Sequence, residues 1–244
     1  MSKAAGTGIG VVIVGHGERG GNADNRVLLK LRDGVAAAIG LATVEAGVLN
    51  GEPTFEHALD ALARAGCREL LIYPFFMSGG YFVRTAVPDR IARVGVPLPW
   101  HMLTPLGLDP ALPTVIHRRA LADAQLAGWI PSNTRLLLVG HGSTKSRASA
   151  EATDNAAVAV AAFGQFNVVE TAFLEEPPFI VDRIGRDRGQ TLVIGFFSAE
   201  GLHARDDIPE AIAGTDAHYS GPIGAEPAIV ELAAAAIRNA IADG

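Results

Sequence analysis

The sequence has little cysteine, few aromatic residues and no cluster of basic residues. Cys67 is the single cysteine among 244 residues, so one chain can form neither an internal disulfide nor a cysteine-based zinc or iron–sulfur site. The formal net charge is −6, and no run of Lys and Arg is present to hold phosphates, which excludes nucleic acid as the expected partner. We therefore expect a protein that acts on small molecules. The single cysteine fits a location in the reducing cytoplasm.

Long uninterrupted hydrophobic runs are also missing. No segment approaches the roughly 18 apolar residues that a membrane helix needs, and Met1 to Gly10 has a single Lys and no long apolar stretch. We therefore expect no membrane-spanning segment and no targeting segment. Small apolar residues are abundant instead, with 49% hydrophobic residues and 28 glycines. This composition is typical of buried parallel strands covered by helices rich in small side chains.

The chain is an internal duplication. The matches between the two copies fall at regular spacing, apart from a short deletion in the second copy between Pro178 and Thr191. They comprise Val14-Gly15-His16-Gly17 with Val139-Gly140-His141-Gly142, Val44-Glu45 with Val169-Glu170, Asn50 with Glu175, Phe75-Phe76 with Phe196-Phe197, Arg84 with Arg205, and Pro88 with Pro209. Agreement over this many positions predicts one structural unit present twice.

Within each copy, short apolar runs alternate with longer stretches of helical spacing, which is the signature of an α/β fold with parallel strands flanked by helices. We predict the boundary around residues 128–134, which gives domains over 1–130 and 131–244. The predicted strands are 9–14, 43–49, 69–75 and 98–103 in the first copy, and 135–139, 167–174, 191–197 and 216–219 in the second.

Three residues with metal-binding side chains follow three consecutive strands of the second copy. His141 and Glu175 come directly after their strands, and His203 follows the third strand through a Glu-Gly turn. Parallel sheets bind ligands at the carboxyl ends of their strands, so these side chains are predicted to meet at one edge. Imidazole with carboxylate suits Fe, Co, Ni or Zn better than Mg or Ca. The second copy is therefore predicted to hold a divalent transition metal.

The first copy lacks this ligand set. Its matching positions are His16, Asn50 and Phe82, which offer one good ligand in place of three. We expect that this copy has lost metal chemistry of its own and forms one wall of a substrate cleft.

Structural interpretations compete with this one. A histidine in a lone Gly-His-Gly turn is often bonded to a neighbouring loop, and Glu175 could be a solvated turn residue, because it adjoins Glu176 and precedes two prolines. The other histidines lie on predicted helices or strands without partners at ligand spacing, which favours surface or core roles for His57, His101, His117 and His218. The combination of three ligand types at three strand ends favours the metal interpretation for His141 and His203 most strongly.

Three motifs resemble those of the CbiX-type class II chelatases, in the two-repeat form of that family. They are Gly-His-Gly-Ser at 140–143, Ala-Phe-Leu-Glu at 172–175, and Gly-Leu-His-Ala-Arg-Asp-Asp-Ile-Pro at 201–209. The resemblance covers nearly the whole chain and implies a tandem pair of flavodoxin-like domains. It differs in two respects. Two-repeat relatives carry the complete set in the N-terminal half, whereas this chain carries it in the C-terminal half, and the first copy has Gly-Glu-Arg after His16 where Gly-Ser-Arg is usual, together with Asn50 and Phe82.

The resemblance implies insertion of cobalt or iron into sirohydrochlorin or a related tetrapyrrole. It implies catalysis and metal binding by His141, Glu175 and His203, with the metal as substrate and no nucleotide cofactor. Tetrapyrrole carboxylates need local positive charge and hydrogen-bond donors, which the predicted rim offers at His16, Arg84, Ser143, Lys145 and Arg205. We expect a monomer or a homodimer with no nucleic-acid or membrane partner.

Two other functions fit the sequence less fully. A relative of the chelatases could carry a metal or a tetrapyrrole without catalysing insertion, given the loss of ligands at Asn50 and Phe82. A hydrolase or phosphate-transfer enzyme with His141 as nucleophile is weaker, because the sequence has no Arg-His-Gly motif, no Gly-x-Ser-x-Gly elbow and no Walker loop.

Overall fold

The computed structural model describes residues 8–18, 24–41, 43–185, 189–199, 201 and 203–243, except for the side chains of residues 203 and 204. The chain divides into two compact units. The first comprises residues 1–105 and 227–244, and the second comprises residues 106–226.

The first unit is a four-stranded parallel sheet in the order β2-β1-β3-β4, flanked by helices. Its strands are β1 (Ile9–Gly15), β2 (Val44–Val48), β3 (Glu69–Pro74) and β4 (Trp100–Met102). Its helices are α1 (Arg26–Ile39), α2 (Phe55–Arg64), α3 (Val87–Val94) and, from the far end of the chain, α8 (Ala228–Asp243). A π-helical turn, Phe82–Ala86, leads into α3.

Helix α2 illustrates how local sequence forms these elements. The Thr54 side chain caps the helix by accepting a hydrogen bond from the backbone N–H of His57. Phe55, Leu59 and Leu62 recur at helical spacing, and all three are buried against the sheet. Burying such a side chain stabilises the fold by about 1.5–3 kcal/mol. The helix thereby holds the carboxyl end of β2 in place.

The second unit repeats this sheet in the order β6-β5-β7-β8, again with all strands parallel. Its strands are β5 (Arg135–Gly140), β6 (Val168–Phe173), β7 (Thr191–Gly195) and β8 (Ala217–Pro222). Its helices are α4 (Leu112–Leu126), α5 (Ala148–Ala161), α6 (Ile180–Arg183) and α7 (Ile208–Ile212). The π-helical turn His203–Asp207 leads into α7, at the position that Phe82–Ala86 has before α3.

The predicted fold class is therefore confirmed: two α/β repeats, each with a parallel sheet flanked by helices. All eight predicted strands form, and the largest differences in their bounds are at β4 and β8, each of which lies at one edge of its sheet. Among the described residues, no helix is both long and apolar enough to cross a bilayer.

The compact units do not follow the sequence repeat over its full length. The predicted domains, 1–130 and 131–244, each include their own last helix, α4 or α8. In the structure α8 packs against α1 of the first unit, and α4 packs against α5 of the second. Hydrophobic periodicity marks the apolar face of a helix but not the partner that covers it, so the sequence could not predict this pairing.

Candidate metal site

His141 follows the buried strand β5 directly, at the carboxyl end of the sheet in the second unit. Its Nδ1 lies 3.0 Å from the carbonyl oxygen of Gly142. Because a carbonyl oxygen can only accept, Nδ1 must carry the proton in this contact, and the lone pair of the neutral ring is then on Nε2. The ring is thus held in the tautomer that presents Nε2 to a metal.

Glu175 lies beside this histidine because the backbone joins the two residues. Its N–H donates to the carbonyl oxygen of His141 over 2.9 Å. The carboxylate Oε1 then lies 3.7 Å from His141 Nε2, with the two side chains 51% and 38% exposed. This separation is too long for a hydrogen bond. It is short enough for one cation to bind both atoms, since transition-metal bonds to nitrogen and oxygen are about 2.0–2.2 Å long.

Glu176 has a supporting position that the sequence did not predict. Its Oε1 accepts a hydrogen bond of 2.9 Å from the backbone N–H of Ser143 and so fixes the loop that carries His141. Gly142 makes this approach possible: its φ is +73°, and a Cβ on it would lie 2.9 Å from Glu176 Cγ. Two adjacent acidic residues at a strand end were the only sequence signal, and they do not reveal which carboxylate turns to which side.

The first residue of the π-helical turn before α7 is His203. Its side chain lies outside the described residues, so its predicted ligation stays a prediction. Within the described part of the chain, no three His, Cys, Asp or Glu side chains form a group able to hold a metal ion.

The first unit repeats the backbone of this site with different side chains. His16 Nδ1 lies 3.2 Å from the carbonyl oxygen of Gly17, and the Asn50 N–H donates to the carbonyl oxygen of His16 over 3.0 Å. Gly17 has a φ of +100°, and a Cβ there would lie 1.9 Å from the Asn50 carbonyl oxygen, so only glycine fits. The Phe82 ring packs edge-on against the His16 ring, with 4.6 Å between centroids. An aromatic ring thus occupies the position that matches His203.

The predicted substrate-binding cations differ in how they are paired. Arg205 Nε lies 3.0 Å from Asp206 Oδ1, and this guanidinium holds the pKa of the Asp206 carboxyl below its usual value. Arg84 and Lys145 are exposed, and neither has an acidic partner among the residues that the structure describes. The Ser143 hydroxyl accepts from the Lys145 backbone N–H over 3.1 Å. Arg84 and Lys145 are therefore the better placed of these residues for an anionic ligand.

The remaining histidines have the structural surroundings that were expected of them. His117 is buried on α4 and stacks on Phe163, with 4.2 Å between ring centroids. His101 is exposed on β4, where its Nε2 lies 3.1 Å from Glu69 Oε1. His57 lies near Glu52 at the surface, and His218 packs edge-on against Trp129.

The family model of CbiX matches residues 10–122 and 135–240, so it covers both repeats. The chain belongs to the CbiX family. The resemblance inferred from the three motifs is thus confirmed, and it extends over the whole repeat structure.

A solved structure and a curated relative agree with this membership. The structure of CbiX, described as the terminal enzyme for biosynthesis of siroheme in denitrifying bacteria, is 32% identical with a TM-score of 0.83, over 95% of this chain and 99% of that chain. A Halobacterium salinarum protein named probable sirohydrochlorin cobaltochelatase is 25% identical over 261 residues, 91% of this chain and 88% of its own. SirB from Bacillus subtilis, solved with Fe3+, has a TM-score of 0.80 at 19% identity over 96% of each chain, which shows the shared fold alone.

Proposed function

We propose that this CbiX-family protein is a chelatase that inserts a divalent transition metal, cobalt or iron, into sirohydrochlorin. The observation that carries the proposal is the pair formed by His141 Nε2 and Glu175 Oε1, 3.7 Å apart at the carboxyl end of the second sheet. The names of the relatives support the substrate: one is described as acting in siroheme biosynthesis and the other as a sirohydrochlorin cobaltochelatase. The metal is a substrate here, and the chemistry requires no nucleotide.

Metal capture is assigned to His141, Glu175 and His203. The hydrogen bond from His141 Nδ1 to the Gly142 carbonyl oxygen leaves the lone pair of the neutral imidazole on Nε2, the atom that binds a metal. The position of His203 is supported by the first repeat, where Phe82 occupies the same place in the π-helical turn and touches the ring of His16. Imidazole and carboxylate bind such ions without the thiolates that would make release slow.

Insertion exchanges two pyrrole N–H protons for the metal, so the site must accept protons as well as deliver the ion. The Glu175 carboxylate, half exposed to solvent, can take a proton and pass it to water. The imidazole of His141 becomes a second acceptor as the metal leaves Nε2. The same two groups thus serve capture, delivery and deprotonation.

The carboxylates of the substrate require local positive charge on a protein whose net charge is −6. Arg84 and Lys145 supply it as exposed cations, with His16 and the Ser143 loop offering further polar contacts. Arg205, which is paired with Asp206, contributes by exchanging that partner for a substrate carboxylate. The predicted cytoplasmic location and the monomeric or homodimeric state stay predictions.

The test is an anaerobic insertion assay that follows the absorption change of sirohydrochlorin with Co2+ or Fe2+. The wild-type protein should accelerate insertion over the uncatalysed rate, and Glu175→Gln should lower kcat by about a hundredfold, since it removes both a ligand and a base. Glu151→Gln, an exposed acidic residue of α5 outside the site, is the matched control and should retain full activity. Failure of the wild-type protein to accelerate insertion would contradict the proposal and favour the carrier function.

A further inference from the structure

We infer that Tyr81 and Phe82 form an aromatic platform on the first unit that binds the conjugated macrocycle of the tetrapyrrole and positions it. The inference rests on the proposed function for its substrate but on separate residues for its evidence. It gives the repeat that lacks the complete ligand set a specific task, which is to bind the organic substrate.

The side chains of Tyr81 and Phe82 are both exposed to solvent. Tyr81 is 66% exposed and Phe82 is 36% exposed, although they are adjacent in a chain with only 6% aromatic residues. Among the exposed large hydrophobic residues of the described chain, these two are the ones that are adjacent aromatic rings in contact with each other. In the second repeat the matching residues are Leu202 and His203, so both rings are particular to the first repeat.

Phe82 is held in a fixed orientation by its neighbours. Phe76, which is 8% exposed and part of the core, lies parallel to it, with 5.7 Å between centroids and 6° between planes. His16 meets it edge-on at 4.6 Å, and Tyr81 meets it at 5.7 Å with an interplanar angle of 67°. Both arrangements are the ones that aromatic pairs prefer. A ring anchored in this way presents its free surface at little further cost in entropy when a ligand binds.

The backbone supports the same conclusion. Phe82 begins the π-helical turn Phe82–Ala86, and π-helical turns are frequent at functional sites. Arg84, two residues further along this turn, is exposed and has no acidic partner among the described residues. Two aromatic rings and an exposed guanidinium carried by neighbouring residues suit a ligand with a conjugated centre and a carboxylate periphery. A metal ion or a small free anion would not need two aromatic rings for binding.

Binding of metal-free sirohydrochlorin, followed by the change in its absorption, tests the platform without any metal. Stacking contributions of aromatic side chains to ring ligands predict that Phe82→Ala raises Kd about tenfold and Tyr81→Ala about threefold. Phe82→Trp, which keeps an aromatic face, should retain near wild-type affinity. Phe163→Ala, a ring of similar exposure in the second unit, is the control and should not change Kd.

The steady-state readout separates positioning from catalysis. In the insertion assay, Phe82→Ala should raise KM for the tetrapyrrole while kcat and the affinity for Co2+ change less than about threefold, because uniform binding is lost and not transition-state stabilisation. If Phe82→Ala fails to fold, Phe82→Leu, which keeps the apolar packing and removes the aromatic face, takes its place.

Two results would overturn the platform: an unchanged Kd in the folded Phe82 variant, or no binding of the macrocycle by the wild-type protein. A wild-type protein that binds sirohydrochlorin but does not insert metal would contradict the proposed chelatase activity alone. In that case the Kd of the Phe82 and Tyr81 variants for sirohydrochlorin would still test the platform. Failure of the chelatase proposal can therefore be distinguished from failure of the platform.

Discussion

The backbone N–H of Glu175 donates to the carbonyl oxygen of His141 over 2.9 Å. The first repeat has the same bond, from Asn50 to His16, over 3.0 Å. Each histidine also places Nδ1 against the carbonyl oxygen of the glycine that follows it. The two repeats therefore share one backbone frame, and their chemistry differs because the side chains on that frame differ.

Rebuilding the side chains on the first repeat should create a second metal site. The double variant Asn50→Glu with Phe82→His places a carboxylate and a second imidazole near His16. These are the side chains that the second repeat carries at Glu175 and His203. We expect Co2+ bound per chain, measured by equilibrium dialysis without tetrapyrrole, to rise from about one to about two, because ligand type and geometry decide such sites. Asn50→Gln with Phe82→Leu is the control. No gain of Co2+ would mean that the frames differ in some essential respect.

Glu176 should support the site without binding the metal. Removing its carboxylate in Glu176→Ala leaves the Ser143 N–H without its acceptor and loosens the loop that carries His141. Loss of such a supporting contact lowers metal affinity by about 10–100-fold, and calorimetric titration with Co2+ measures it.

The matched variant Glu176→Gln keeps a carbonyl oxygen that can accept from Ser143. It should retain more affinity than Glu176→Ala. Equal losses in the two variants would mean that the charge of Glu176, and not its hydrogen bond, is what the site requires.

Glu56 should make the stability of the first unit depend on pH in the acid range. Burial raises the pKa of its carboxyl, but the hydrogen bond and charge of Arg90 outweigh burial and place this pKa below its usual value. A lowered carboxyl pKa gives stability that is fully present above the unfolded-state pKa and is lost as pH falls through the folded-state pKa. The Arg90 side chain also donates to the carbonyl oxygen of Leu49, so the pair holds the end of β2.

Urea unfolding of Glu56→Gln at several pH values measures this contribution. The variant should lose on the order of 1 kcal/mol at pH 7, with a smaller difference from wild type near pH 3. Glu151→Gln, from an exposed ion pair, should differ little from wild type at either pH. A Glu56→Gln deficit that stays constant with pH would contradict the assignment.

Arg119 should stabilise the second unit by joining three segments. Its guanidinium donates to Asp123 over 2.6 Å, to Glu226 over 2.5 Å and to the carbonyl oxygen of Ser220 over 2.7 Å. Burial lowers the pKa of Arg119, but its two carboxylate partners outweigh this effect and raise it. Arg119→Ala should cost about 1–3 kcal/mol in thermal or urea unfolding.

Arg119→Lys is the matched variant, because lysine keeps the charge but cannot reach three acceptors from one planar group. It should recover only part of the lost stability. Full recovery would mean that charge alone matters at this position.

The sequence predicted the repeat, the parallel sheets and the meeting of His141 with Glu175, because strand ends converge at one edge of a parallel sheet. It singled out Glu175 but gave Glu176 no role, since only the turn decides that the second carboxylate faces the Ser143 N–H. From the sequence, Phe82 was interpreted as the loss of a metal ligand. The identity of this residue does not reveal that its ring stacks on Phe76. Such contacts depend on three-dimensional packing that periodicity does not encode.

The central claim is that the C-terminal repeat performs the metal chemistry, and Co2+ titration of His141→Ala beside His16→Ala tests it most directly. The electronic absorption of bound Co2+ reports affinity and ligand type in the absence of tetrapyrrole. Loss of an imidazole ligand should weaken binding by about a hundredfold or more in His141→Ala, whereas His16→Ala should bind Co2+ as the wild-type protein does. Retained affinity in His141→Ala, or an equal loss in His16→Ala, would contradict the account.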